Sequence, residues 1–305
     1  MRASPDREVL SASLNSMRPA VEPGRSSFYG GSDLASSDFD PDEQDRFLAI
    51  VRDAGAIAMR YFRLGDQTGA KVTWKGDGSP VTEADYAVNA YLEANLRALW
   101  PEAAWLSEES ADNPARLEAR QVIIVDPIDG TRGFARGDRN WCVSVALVEA
   151  GRPVRAVVHA PANSETFTAH AGRGALLNGI SLSIPHCDEL RPDLRVSAPA
   201  SAVQDIRNAG VDFDFRPKIP SLALRIAGVA SGAYDCCLAT RNSNDWDLAA
   251  ADLVLQEAGG LLAGADGLSL IYNRIETRHG ILTATARALQ PKFLEAVERA
   301  KASRR

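Results

Sequence analysis

Cysteine and histidine are scarce here, with four of each in 305 residues. Cys142, Cys187, Cys236 and Cys237 show no C-x-x-C spacing, and no histidine stands at ligand spacing from another. A zinc centre and a disulfide framework therefore lack their usual patterns. The adjacent Cys236 and Cys237 lie in an apolar run and read as core thiols. No Ser/His or Cys/His pairing stands out, which leaves no candidate for a covalent nucleophile. Positive charge is also lacking. The net charge of −6 offers no basic surface for a nucleic-acid backbone. No apolar run approaches the length of a membrane span, and the first residues show no apolar core of a signal peptide. These absences point to a cytoplasmic protein with neither nucleic-acid nor membrane partners.

What is present is ordinary globular material, 45% apolar and 24% charged. The length allows one large domain or two closely packed ones. Residues 1–38, rich in Ser, Pro, Gly, Arg and Asp, read as a disordered tail. Order is expected from Asp40, an N-cap followed by Pro41 and, three residues on, Glu43. Phe47, Ile50, Val51, Ala54, Ile57, Ala58, Tyr61 and Phe62 then recur at helical spacing, predicting a helix to about Leu64. Gly76, Gly78 and Pro80 mark a loop, and Thr82 caps a second helix. Strands are predicted at 141–148, 153–160 and 165–170, with His159 and His170 as core or edge residues. Prolines at 192, 199, 217 and 220 break the next stretch. The expected division is therefore an N-terminal α+β subdomain over 39–190 and a C-terminal α/β subdomain over 191–305. Helix is predicted again at 221–230 and strand at 234–239. Asp245 then reads as the cap of a strongly helical Ala/Leu/Val run that stops at Gly259.

The stretch Gln121–Gly137 carries the most chemistry. Val122–Val125 reads as a buried strand, and it ends in Asp126 and Asp129. Buried carboxylates demand a cation, and carboxylate and carbonyl oxygens suit a hard divalent metal such as Mg²⁺. Gly130 and Thr131 follow at a helix start, where free N–H groups form an anion cradle. A metal beside an anion cradle suits a phosphate ester. Asp126-Pro127-Ile128-Asp129-Gly130-Thr131 resembles the DP(I/L)DGT motif of the inositol monophosphatase superfamily. Three further elements stand in that family's order: Thr82-Glu83-Ala84-Asp85, Glu108-Glu109-Ser110, and Trp246-Asp247 leading to Gly259-Gly260.

The resemblance covers residues 42–295. It implies an α+β fold, the layered αβαβα sandwich of the inositol monophosphatase and fructose-1,6-bisphosphatase type. It also implies a lithium-sensitive phosphomonoesterase using two or three Mg²⁺ ions and metal-activated water on a small phosphorylated substrate, with a homodimer possible. By the same resemblance Glu108, Asp126 and the Ile128 carbonyl hold one metal. Asp126, Asp129 and Asp247 hold a second. Asp85, Thr131 and Glu108 serve catalysis, with Lys75 and Glu109 nearby, and Gly130, Thr131, Asp247 and Arg241 contact substrate. Arg132 directly after the motif resembles the CysQ-type 3'(2'),5'-bisphosphate nucleotidases and the histidinol-phosphate phosphatases. The stretch before Trp246 departs from inositol-type members, which place a glutamate near Thr240. The reading is therefore a bisphosphate nucleotidase converting adenosine 3',5'-bisphosphate to AMP, with Arg241, Arg132 or Arg136 pairing the second phosphate. The alternatives are an inositol-1-monophosphatase and an inactive metal-binding regulatory relative.

Overall fold

A computed structural model of the protein describes residues 40–239 and 241–302. The tail expected over 1–38 lies outside the described residues. Helix α1 spans Pro41–Met59, with the Asp40 side chain accepting from Asp42 N. It stops short of Leu64 because the chain tightens into turns: Arg60 N bonds Ile57 O, and Tyr61 N bonds Ala58 O. Glu43 pairs with Arg155 at 2.9 Å rather than closing a capping box. A small hairpin, β1 (Val72–Trp74) and β2 (Pro80–Thr82), leads into α2 (Glu83–Leu99).

A seven-stranded sheet follows in simple sequence order. Its strands are β3 (Ala104–Ser107), β4 (Gln121–Asp129), β5 (Cys142–Glu149), β6 (Arg152–Ala160), β7 (Glu165–His170), β8 (Gly174–Leu177) and β9 (Ile180–Ser181). Only β3 and β4 run parallel, and a short helix α3 (Thr131–Phe134) joins β4 to β5. The second sheet has the order β11–β10–β12–β16–β14. Its members are β10 (Arg195–Ser197), β11 (Asp214–Arg216), β12 (Cys236–Ala239), β14 (Gly260–Ala263) and β16 (Leu282–Ala286). Helices α4 (Ala200–Asn208), α5 (Leu222–Ala230), α6 (Asp245–Glu257) and α7 (Gln290–Ala302) are interleaved with them. Strands β13 (Ser243–Asn244) and β15 (Arg278–His279) pair by themselves.

Alternation along the strands builds the layers. Ile123 and Val125 face the core under α1 and α2, with Phe47, Val51 and Leu92. Val122 and Ile124 face a second core filled by α5 and α6, which the inner face of the smaller sheet closes from the other side. Cys236 and Cys237 divide the same way, one toward α4 and α7 and the other toward α5 and α6. The result is helices, sheet, helices, sheet, helices: the αβαβα sandwich. A strand buried on both faces explains why Val122–Val125 is an unbroken apolar run.

Candidate active site

The carboxylates at the end of β4 are arranged by a break in the strand. In regular alternation, residues three apart face opposite sides. Pro127 has no N–H for the ladder, and the register to β5 shifts between Asp126 and Asp129. Asp126 and Asp129 thereby converge, and α6 delivers Asp247 from the centre of the sandwich. One carboxylate oxygen of each lies within 4.8 Å of those of the other two, and these three are the metal-suited cluster among the described residues. Each is separately anchored. Asp126 Oδ1 accepts from Ile128 N at 3.0 Å, and Asp247 Oδ2 from Asn244 N at 2.6 Å. Asp129 Oδ2 accepts from Ser221 Oγ at 2.6 Å and from Ala223 N at 2.7 Å, at the start of α5.

Asp245 does not cap α6 as its position in the sequence implied. Asn244 is the cap, and Asp247 sits at the third helical position. Asp85 likewise closes a capping box, its Oδ2 accepting from Thr82 N at 2.8 Å and Thr82 Oγ1 at 2.6 Å. Its other oxygen reaches Thr131 Oγ1 at 3.2 Å, and Thr131 Oγ1 also lies 2.9 Å from the Ile128 carbonyl. Asp85 thus caps α2 with one oxygen and faces Thr131 with the other. Gly130, at φ +97, starts α3, and a Cβ there would approach Ser221 N to 3.1 Å and Asn140 O to 3.2 Å.

Glu108 stands outside the three-carboxylate cluster but lines the same cavity, of about 390 Å³, with Asp126, Asp129, Gly130, Thr131 and Asp247. Lys75 Nζ bonds Glu108 Oε1 at 2.9 Å and Glu109 Oε1 at 2.7 Å. Ser107 and Ser110 fix this segment to Asn89 of α2, at 2.6 and 3.1 Å. Arg132 and Arg136 line the cavity, and Arg132 is tied to the β1–β2 loop through Gly78 O at 2.8 Å. Arg241 is exposed and does not line it. Two residues were not picked out from the sequence. Ser221 was legible as a helix start but not as a partner of Asp129. Lys218, between Pro217 and Pro220, lines the cavity, and among the described residues its side chain has no hydrogen-bond or ion-pair partner.

Burial pushes the Asp126 carboxyl well up, and Glu108, Asp129 and Asp247 add to it. Burial and then Asp129 do the same to Asp247. Asp129 is raised by burial to about 6, against the Ser221, Ala223 and Leu222 donors. Burial also raises Asp85 to about 6 despite its Thr82 bonds. Burial takes Glu109 to about 7, against the Lys75 hydrogen bond and with a smaller push from Glu108. No lysine or arginine ion pair reaches Asp126, Asp129 or Asp247 among the described residues. An all-oxygen donor set whose members repel one another fits hard divalent cations.

A pH dependence follows for the metal-free protein. Folded-state values raised above the ordinary 3.8 mean that the folded chain holds these protons more tightly than the unfolded chain. This stabilisation is complete below pH 3.8 and is lost as pH rises through about 6. Without metal, the melting temperature is expected to fall between about pH 4 and pH 7, on the order of 5 °C per carboxyl. Saturating Mg²⁺, which favours the ionised carboxylates, should remove the fall. Equal slopes with and without Mg²⁺, recorded by thermal melts, would refute this account.

The sequence profile of the inositol monophosphatase family matches residues 42–302. The 3'(2'),5'-bisphosphate nucleotidase CysQ of Aggregatibacter actinomycetemcomitans is 33% identical over 240 residues, covering 75% of this chain and 89% of the relative. Inositol monophosphatase 2 of Solanum lycopersicum is 31% identical, covering 73% and 89%. Among solved structures, the Thermotoga maritima IMPase superposes with a TM-score of 0.74 at 24% identity, over 86% of this chain and 99% of that one.

Proposed function

This chain belongs to the inositol monophosphatase family, and on that footing we propose that it is a Mg²⁺-dependent 3'(2'),5'-bisphosphate nucleotidase. The family's activity makes it a phosphoric monoester hydrolase. One observation carries the reading at this site: three carboxylates, two from β4 and one from α6, converge within 4.8 Å beside the first turn of α3, with no lysine or arginine ion pair among the described residues.

In this proposal Glu108, Asp126, the Ile128 carbonyl, Asp129 and Asp247 hold two or three Mg²⁺ ions. Bound there, the ions supply positive charge against the phosphate oxygens and acidify water. The chain's own groups do the rest. Gly130 and Thr131 N–H groups, at the open end of α3, hold phosphate oxygens in line for attack. The Thr131 hydroxyl, already bonded to Asp85, orients the attacking water, and Asp85 takes its proton. Ser221 Oγ and Ala223 N fix the orientation of the Asp129 carboxylate.

The cavity's cations favour a substrate with a second phosphate. Arg132, Arg136 and Lys218 line it together with the carboxylates, and burial holds the Lys218 ammonium below its ordinary range. Arg241 drops out of this role, because it is exposed away from the cavity. Similarity to an inositol monophosphatase supports the second reading, in which a single phosphate suffices. A cytoplasmic setting belongs to the proposal, and the four cysteines are free.

Phosphate release with and without Mg²⁺ tests the function over a panel of adenosine 3',5'-bisphosphate, inositol 1-phosphate, fructose 1,6-bisphosphate and histidinol phosphate. The adenosine bisphosphate should be hydrolysed with the highest kcat/KM. Preference for inositol 1-phosphate selects the second reading, and no release from any substrate selects an inactive relative. Lys218→Met should raise KM for the bisphosphate about tenfold, the worth of one charge-assisted hydrogen bond, and leave inositol 1-phosphate unaffected. An equal change for both substrates would remove Lys218 from second-phosphate recognition.

A further inference from the structure

Arg116 is 2% exposed, yet it lies outside the cavity and no motif includes it. A buried guanidinium demands complete pairing, and this one is paired in two directions. On one edge, Nε and Nη2 grip Asp112 at 2.6 and 3.0 Å, in the segment that follows Glu108 and Glu109. On the other, Nη1 donates to Asn273 Oδ1 at 2.7 Å and to Arg274 O at 3.0 Å, more than 150 residues away. Asn273 returns a bond from Nδ2 to Arg116 O at 3.0 Å. Its backbone is left-handed, φ +57, a region asparagine tolerates better than most residues. Held there, Asn273 N donates to Asp245 Oδ2 at 2.8 Å, while His279 Nε2 lies 2.7 Å from Asp245 Oδ1. Asp245 is the first residue of α6, two before Asp247.

We propose that Arg116 is a positioning residue, which sets the segment carrying Glu108 and the helix start carrying Asp247 in fixed register across the sandwich. The value of this coupling to catalysis rests on the metal roles given above to Glu108 and Asp247. Arginine is required because its planar fork serves a carboxylate on one edge and an amide on the other. A lysine ammonium is a single point and reaches only one of them. The long sequence separation makes the link a tertiary device: nothing local to either segment reproduces it.

Two variants cut the link in different places. Arg116→Lys keeps the charge and loses the fork. Asn273→Gly suits the positive φ and retains the N–H to Asp245, removing only the side-chain bonds to Arg116. Each is measured in the full chain by Mg²⁺-dependent melting, by kcat and KM, and by hydrogen exchange at residues 245–248 and 108–113. Both variants should raise the Mg²⁺ concentration for half-maximal stabilisation about fivefold or more. kcat should fall with a smaller change in KM, and exchange should quicken in both segments. The double variant should be no worse than either single one. A lower melting temperature with parental Mg²⁺ requirement, and with exchange altered only around residue 116, makes Arg116 a structural residue and overturns the proposal. A parental protein that gains no stability from Mg²⁺ counts against the metal roles instead, and hydrogen exchange at 245–248 then decides the coupling alone.

Discussion

Asp247→Asn is expected to reduce turnover on the order of a thousandfold while leaving the metal-free protein as stable as its parent, or more so. Asp247 sits at the third position of α6, where its Oδ2 accepts from Asn244 N. An asparagine oxygen accepts the same bond, so the start of the helix survives. The substitution removes a buried charge that burial and Asp129 already oppose, which favours the metal-free fold. What it cannot restore is the third carboxylate of a cluster spanning 4.8 Å. With that oxygen's charge gone, the melting-temperature gain on adding Mg²⁺ should shrink. A thousandfold loss of rate corresponds to roughly 4 kcal/mol of transition-state stabilisation, within reach of one lost charge in a metal site. Melts of both proteins with and without Mg²⁺, beside their phosphate-release rates, separate the effects. A variant that melts like the parent in Mg²⁺ and turns over at the parental rate would place Asp247 outside the site.

Asp247 also shows what kind of information was local. It was legible because Trp246-Asp247 and Gly259-Gly260 bracket a helix in a recognisable way, as Thr82 and Asp85 mark the start of α2. Local signals fared well at the Thr82 cap of α2 and along the buried strand β4. They misjudged α1, where periodicity runs on through Tyr61 and Phe62. There the chain leaves the helix while both aromatics still face the core, and Tyr61 O accepts from Gly69 N at 2.8 Å and Thr68 Oγ1 at 2.9 Å. They also misjudged Asp245. Its cap-like position concealed two partners, Asn273 and His279, that only folding brings near.

Distance along the chain explains the remaining misses. Arg241 stands six residues from Asp247 in sequence and still falls outside the cavity. Lys218 stands 29 before Asp247 and falls inside it. Ser221 meets Asp129 across 92 residues, with no spacing rule to announce it. The order of the layers came from family resemblance, since alternation in single strands fixes which residues are buried and not what covers them. Once both faces of β4 and of β12 are known to be covered, the unbroken apolar run of the first and the buried thiols on opposite faces of the second both follow.

Asp85→Asn should produce the second large loss, through a proton rather than through metal affinity. Asp85 uses one oxygen for Thr82 N and Thr82 Oγ1 and the other for Thr131 Oγ1. Asparagine keeps an oxygen for the capping box, so α2 still begins at Thr82. Its Nδ2 then faces Thr131 as a donor, and the hydroxyl must turn its proton to the Ile128 carbonyl, already 2.9 Å away. The variant thus loses the base and reverses the hydrogen bond that orients the attacking water. General-base contributions of about 10²- to 10⁴-fold set the expected fall in kcat. The pH profile supplies the sharper test. Burial places the Asp85 carboxyl at about 6 in the metal-free protein, and bound cations only lower it. The parental kcat/KM should therefore rise with pH along an acid limb centred no higher than about 6, as Asp85 loses its proton. In Asp85→Asn that limb should vanish, with Mg²⁺-dependent stabilisation close to parental. An unchanged acid limb in the variant would assign the proton transfer to another group, and a lost Mg²⁺ response would return Asp85 to the metal site.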